Sequence, residues 1–149
     1  MCNITKEYKP GYHAQVGYKV AVQKPDGKYY SPFTGVEYKV GKVAQPDYNK
    51  DVEKIPIVCD VIGGKNNNSF YQDRYVGCTA IFINKSEAVE NMIGLKHRLD
   101  DRGIPIKLVM LEFKLSGIKY KGTYEFGEDI ISAPVFMGTR ISSMKKIYV

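Results

Sequence analysis

With 149 residues, 44% of them hydrophobic and 26% charged, the chain is long and apolar enough to bury one core without disulfide or metal staples. No apolar run approaches the roughly 18 residues of a membrane span. Twenty-two basic against 16 acidic residues, a net charge of +6 and a pI of 9.1 favour anionic partners and exclude a phosphate mimic, which needs a dense acidic face.

Residues 1–15 place Lys6, Glu7, Lys9, Pro10, Gly11 and His13 among tyrosines, a polar lead-in expected to fray or to cross a sheet edge. It carries no apolar signal region, so a cytoplasmic location is expected, in a host cytoplasm if the chain is phage-encoded. Val16, Tyr18, Val20 and Val22 then alternate with Lys19, Ala21 and Gln23, and Val36, Tyr38 and Val40 with Glu37 and Lys39. That is the period of half-buried strands. A Pro25-Asp26-Gly27 turn and a Ser31–Gly35 loop separate the two.

Residues 41–54 lose periodicity around Pro46, Asp47 and Asn49 and read as a loop, Ile55–Ile62 as a short strand, and Gly63–Ser69 as a mobile loop. The run 77–83 is apolar on both faces, as a central strand requires. Asn84 is placed to cap a helix with Glu87 as its capping-box partner, and Gly103 ends it. At 100° per residue Ala88, Val89, Met92, Ile93, Leu95 and Leu99 form its core stripe, with Asn91, Gly94 and Arg98 opposite.

Ile104–Leu115 reads as a second central strand and Ser116-Gly117 as a turn into a one-sided strand at 120–126. The segment 130–136 is interrupted by Pro134, and 139–149 reads as an edge strand that Lys145 and Lys146 protect from further pairing. The expected fold is α+β: one domain over 1–149, a largely antiparallel sheet of about six to seven strands, and one main helix over 84–102 packed on it.

No serine-hydrolase elbow, Walker loop, Rossmann glycine pattern or HExxH site occurs, and Val61–Lys65 lacks the spacing of a phosphate loop. Cys2, Cys59 and Cys78 are widely spaced, with Cys59 and Cys78 in apolar runs that suit inert thiols, so neither metal nor cofactor is expected. The 12 tyrosines often adjoin a basic residue, which is the chemistry of base stacking beside phosphate pairing. Within strands, neighbours point to opposite faces and such pairs are split. In loops they are not, which singles out Lys28, Tyr29 and Tyr30 beside the turn and Lys65, Tyr71, Arg74 and Tyr75 around the asparagine loop. Arg140 is a further anion candidate, or a partner of Glu128 or Asp129.

Gly-Tyr-Lys-Val at 17–20, Asp-Gly-Lys-Tyr-Tyr-Ser at 26–31, Glu-Tyr-Lys-Val-Gly-Lys at 37–42, then Gly77-Cys78, a short strand and Glu87-Ala88 opening a helix together resemble small domains of bacteriophages and bacterial mobile elements. Members place a histidine after the glycine, where this chain has Cys78-Thr79. The resemblance spans about residues 17–93 and implies a phage-type accessory role without supplying catalytic residues. The expected function is therefore non-catalytic: capture of an anionic ligand (a nucleotide signal or nucleic acid) or inhibition of a host defence protein. No membrane partner is expected, and homo-oligomerisation stays open. The rival is a small nucleotide- or nucleic-acid-modifying enzyme, such as an NAD-using transferase, with His13 or His97 as base and Tyr29 or Glu112 assisting.

Overall fold

The computed structural model describes residues 3–8, 11–32, 35–44, 77–126 and 131–149. In chain order the elements are β1 (Asn3–Tyr8), β2 (Gln15–Gln23), β3 (Tyr29–Tyr30), β4 (Glu37–Tyr38), β5 (Gly41–Lys42), β6 (Thr79–Phe82), α1 (Lys85–Asp101), β7 (Lys107–Phe126) and β8 (Ile131–Ile147). Every ladder is antiparallel and one helix packs on the sheet, so the chain is α+β, with eight strands among the described residues. The expected strand at 55–62 and loop at 63–69 lie outside them.

The second half of the chain departs from expectation. Ser116-Gly117 does not reverse the chain: 104–115 and 120–126 contribute to one 20-residue strand, β7, and Pro134 does not interrupt the 17-residue β8. Gly117 takes a φ of +62°, which kinks the strand without turning it back. Two irregularities flank the kink. Ser142 is an extra residue on β8 between the pairs Lys114↔Ser143 and Leu115↔Ile141, and Lys119 is an extra residue on β7 between Ile118↔Gly138 and Tyr120↔Met137. Insertions on opposite strands cancel, so the long hairpin bends and recovers its register. The segment 139–149 is flanked on both sides only at its start, where Arg140 and Ile141 lie between β7 and β5. From Ser142 on, Lys145 and Lys146 included, its outer side has no strand partner among the described residues, as expected of an edge.

The ladders β2–β7, β7–β8, β8–β6 and β6–β2 form a closed circuit whose last link is a single pair, Tyr18↔Phe82. Gly17 makes that approach possible: a Cβ there would fall 2.7 Å from Ile81 Cδ1 and nearer still to the Phe82 carbonyl oxygen. On the edge of β7 that β2 occupies, β1 continues beyond the kink, pairing Asn3–Tyr8 with 120–125; the lead-in crosses an edge.

Closure gives the strands two buried faces. A circuit of four strands has no room inside for a helix, so the inner core is made of side chains alone, Leu111, Phe113, Leu115, Ile81 and Phe136 among them. The outer core lies under α1, where Ala88, Leu95 and Leu99 meet Val20, Val22, Met110 and Val135. Each large side chain so buried contributes roughly 1.5–3 kcal/mol. The helix stripe differs from expectation at two positions: Ile93 is 49% exposed, whereas Asn91 is 5% exposed. Asn84 is the N-cap, but its side chain donates to Glu87 Oε1 at 3.3 Å instead of bonding a backbone N–H.

Candidate functional site

The turn between β2 and β3 closes through Gly27 N–H to Lys24 O and Lys24 N–H to Lys28 O. Asp26 organises it further, Oδ1 accepting the Lys28 N–H and Oδ2 the Tyr30 hydroxyl, both at 2.8 Å. These bonds hold the Asp26 carboxyl below its usual range, and the bond to Asp26 pushes the Tyr30 phenol up to about 12. Lys24 Nζ sits 4.2 Å from the Tyr30 ring centroid, so this aromatic–cation pair is internal to the turn. Tyr29 packs against the inner core. Arg140 is far from this hairpin in the sheet order, on β8 between Lys42 and Ser116. Lys65, Tyr71, Arg74 and Tyr75 lie outside the described residues, as do Glu128 and Asp129. Lys28, Tyr29 and Tyr30 thus stand together on one hairpin, and Arg140 stands on another strand.

A different constellation forms where the circuit closes. Beyond Tyr18↔Phe82 the strands β2 and β6 no longer pair, and a cleft of about 80 Å³ opens between Lys19–Val20 and Cys78–Phe82. Its walls are largely apolar, with Val36, Ile81, Val135 and Ile141 contributing. Polar groups enter from several elements: Ser31 and Tyr38 around the β3–β4 connection, Thr79 of β6, Asn91 of α1, and Lys39 and Lys42 at exposed positions.

Lys19 is the centre of this set. Its Nζ donates to the Ala80 carbonyl at 2.6 Å and lies 5.7 Å from the Tyr38 ring centroid. The ammonium therefore substitutes for a ladder bond at a place where β6 has lost its neighbour. Burial lowers its pKa from 10.5 to about 8. An ammonium carries three donors, and no carboxylate meets it among the described residues. Burial also raises the Tyr38 phenol well above its usual value, opposed by a hydrogen bond with Ser31.

The cleft was missed by strand alternation, which puts Lys19 on a solvent face. One signal was present: Gly17 and Ala21, two positions either side of it, are small, as a face in close contact requires. Neither His13, His97, Tyr29 nor Glu112 lines the cleft. Both histidines are exposed, and Glu112 pairs with Lys145 at 3.6 Å. Cys78 is buried. Among the described residues no group of three or more His, Cys, Asp or Glu could hold a metal ion, and no helix is long and apolar enough to cross a membrane. The chain matches no family model, no curated protein and no solved structure.

Proposed function

We propose that this is a non-catalytic binding protein that takes the anionic group of a nucleotide-class ligand into the Lys19 cleft. The observation that carries the reading is the half-buried Lys19 ammonium, held on the Ala80 carbonyl with no carboxylate beside it among the described residues. A charge so placed is costly, and an incoming anion offsets the cost. At about 80 Å³ the cleft is several times the roughly 10–15 Å³ that one water needs, which gives a phosphate or carboxylate room to enter. The rest of the ligand stays at the mouth, beside Lys39 and Lys42. Capture of a nucleotide signal is the accessory role that suits such a site.

Thermal-shift titration with nucleoside monophosphates and cyclic dinucleotides tests this, with the parent nucleosides as controls. Tm is expected to rise with the concentration of the phosphorylated compounds and to stay flat with the nucleosides. Lys19→Met is expected to abolish the rise while still unfolding cooperatively. Flat traces throughout, or an undiminished rise in the variant, would sink the reading.

A further inference from the structure

Lys42 belongs to two neighbourhoods. It stands at the cleft, and across the β5–β8 ladder it is opposite Arg140, which in turn is opposite Ser116 of β7. Residues directly opposite in an antiparallel ladder project from the same face, so Lys42, Arg140 and Ser116 form one row. Ser143 with Lys114 and Lys145 with Glu112 form the next two rows, spaced along β7 at two residues, about 7 Å each. Between them Leu111, Phe113, Leu115 and Ile141 fill the inner core, which turns the rows outward. The extra residue Ser142 adds its hydroxyl to this face, donating to Ser116 Oγ at 2.9 Å. Lys42, Lys114, Arg140, Ser142, Ser143 and Lys145 are all exposed. Four cations face one carboxylate, Glu112, already paired with Lys145, which leaves three positive charges. On the far side of β7 the second and third rows continue into Val16, 51% exposed, and Tyr18.

We infer that this outward face is a track for single-stranded nucleic acid, whose terminal phosphate enters the cleft and whose following phosphates lie along the rows. The inference rests on the anion reading of the cleft and extends its ligand from a mononucleotide to an oligonucleotide. Cations interleaved with hydroxyls supply both kinds of donor that phosphate oxygens accept. Val16 and Tyr18 give bases an apolar shelf beside the phosphates, which an acidic peptide does not need. With no base-edge contact in the rows, binding is indifferent to sequence.

The test is fluorescence anisotropy with 3′-labelled dT12, with and without a 5′-phosphate. Affinity is expected to fall with salt at a log–log slope of about −2, from about three phosphate contacts on a single strand. Lys114→Glu combined with Arg140→Glu is expected to weaken binding at least tenfold. Lys85→Glu combined with Lys96→Glu, the same charge change at exposed positions of α1, is expected to weaken it less than twofold. The 5′-phosphate should tighten binding to the wild type and not to Lys19→Met. Circular dichroism establishes that each variant is folded. Equal losses in the two double variants, or equal competition by poly-glutamate, would overturn the track in favour of net charge alone. No gain from the 5′-phosphate would overturn its continuity with the cleft. If thymidine 5′-monophosphate binds and dT12 does not, the track falls and the cleft reading stands; if neither binds, both fall.

Discussion

Lys19 shows how one side chain serves two purposes with different chemistry. Its bond to Ala80 O ties β6 to β2 where backbone pairing stops, and its charge remains available to an anion. The unfolded chain holds this proton up to about pH 10.5 and the folded protein only up to about 8. Between those values the unfolded state binds more protons, so stability rises with pH. In urea denaturation from pH 7 to 10.5, the wild type is expected to gain up to about 3 kcal/mol on Lys19→Met. Parallel pH profiles would show that the ammonium is solvated in the fold. The turn residues illustrate the opposite case: Tyr30 has the aromatic and hydroxyl groups of a binding residue, but Asp26 and Lys24 already use them. Sequence identifies the chemical groups in both places. It does not say which are spent on their own neighbours.

At the scale of elements, the helix, the central strands at 77–83 and 104–115, and the hairpin around Pro25–Gly27 were legible because periodicity and turn chemistry act locally. The hairpin of β7 and β8 was not, since a Ser-Gly pair serves a turn and a kink equally well and only the partner strand decides. Alternation failed at Lys19 for a related reason: β2 is buried on both faces, and Ala21 is as enclosed as Val20 and Val22. The junction of β2 with β6 gives a sharp test. Gly17→Ala puts a methyl group against the Phe82 carbonyl and Ile81, forcing the strands apart at a cost of about 1–3 kcal/mol. Calorimetry is expected to show Tm lowered by about 3–10 °C. An unchanged Tm would mean that the two strands are not held in contact there.

The molecule as a whole is a circuit whose links join distant parts of the chain: residues 15–23 pair with 107–115, and 79–82 with 135–138. Loop closure must therefore precede most of the stabilising contacts, which places folding with β-rich domains in the millisecond-to-second range. Stopped-flow refolding from urea checks this, and a sub-millisecond main phase would contradict it. The sheet order that produces the circuit could not be derived from local pattern, because each strand's partners are chosen by segments tens of residues away.

The placement of β1 has its own consequence. It occupies the stretch of β7 at 120–125 that β2, ending its ladder at Leu115, does not reach. Trimming the chain back past Tyr8 would leave those main-chain N–H and C=O groups bare, and a bare strand invites a stranger's strand. Clipping off β1, itself the end strand of the sheet, would thus move the open edge inward to a stretch of β7 that is built to be paired.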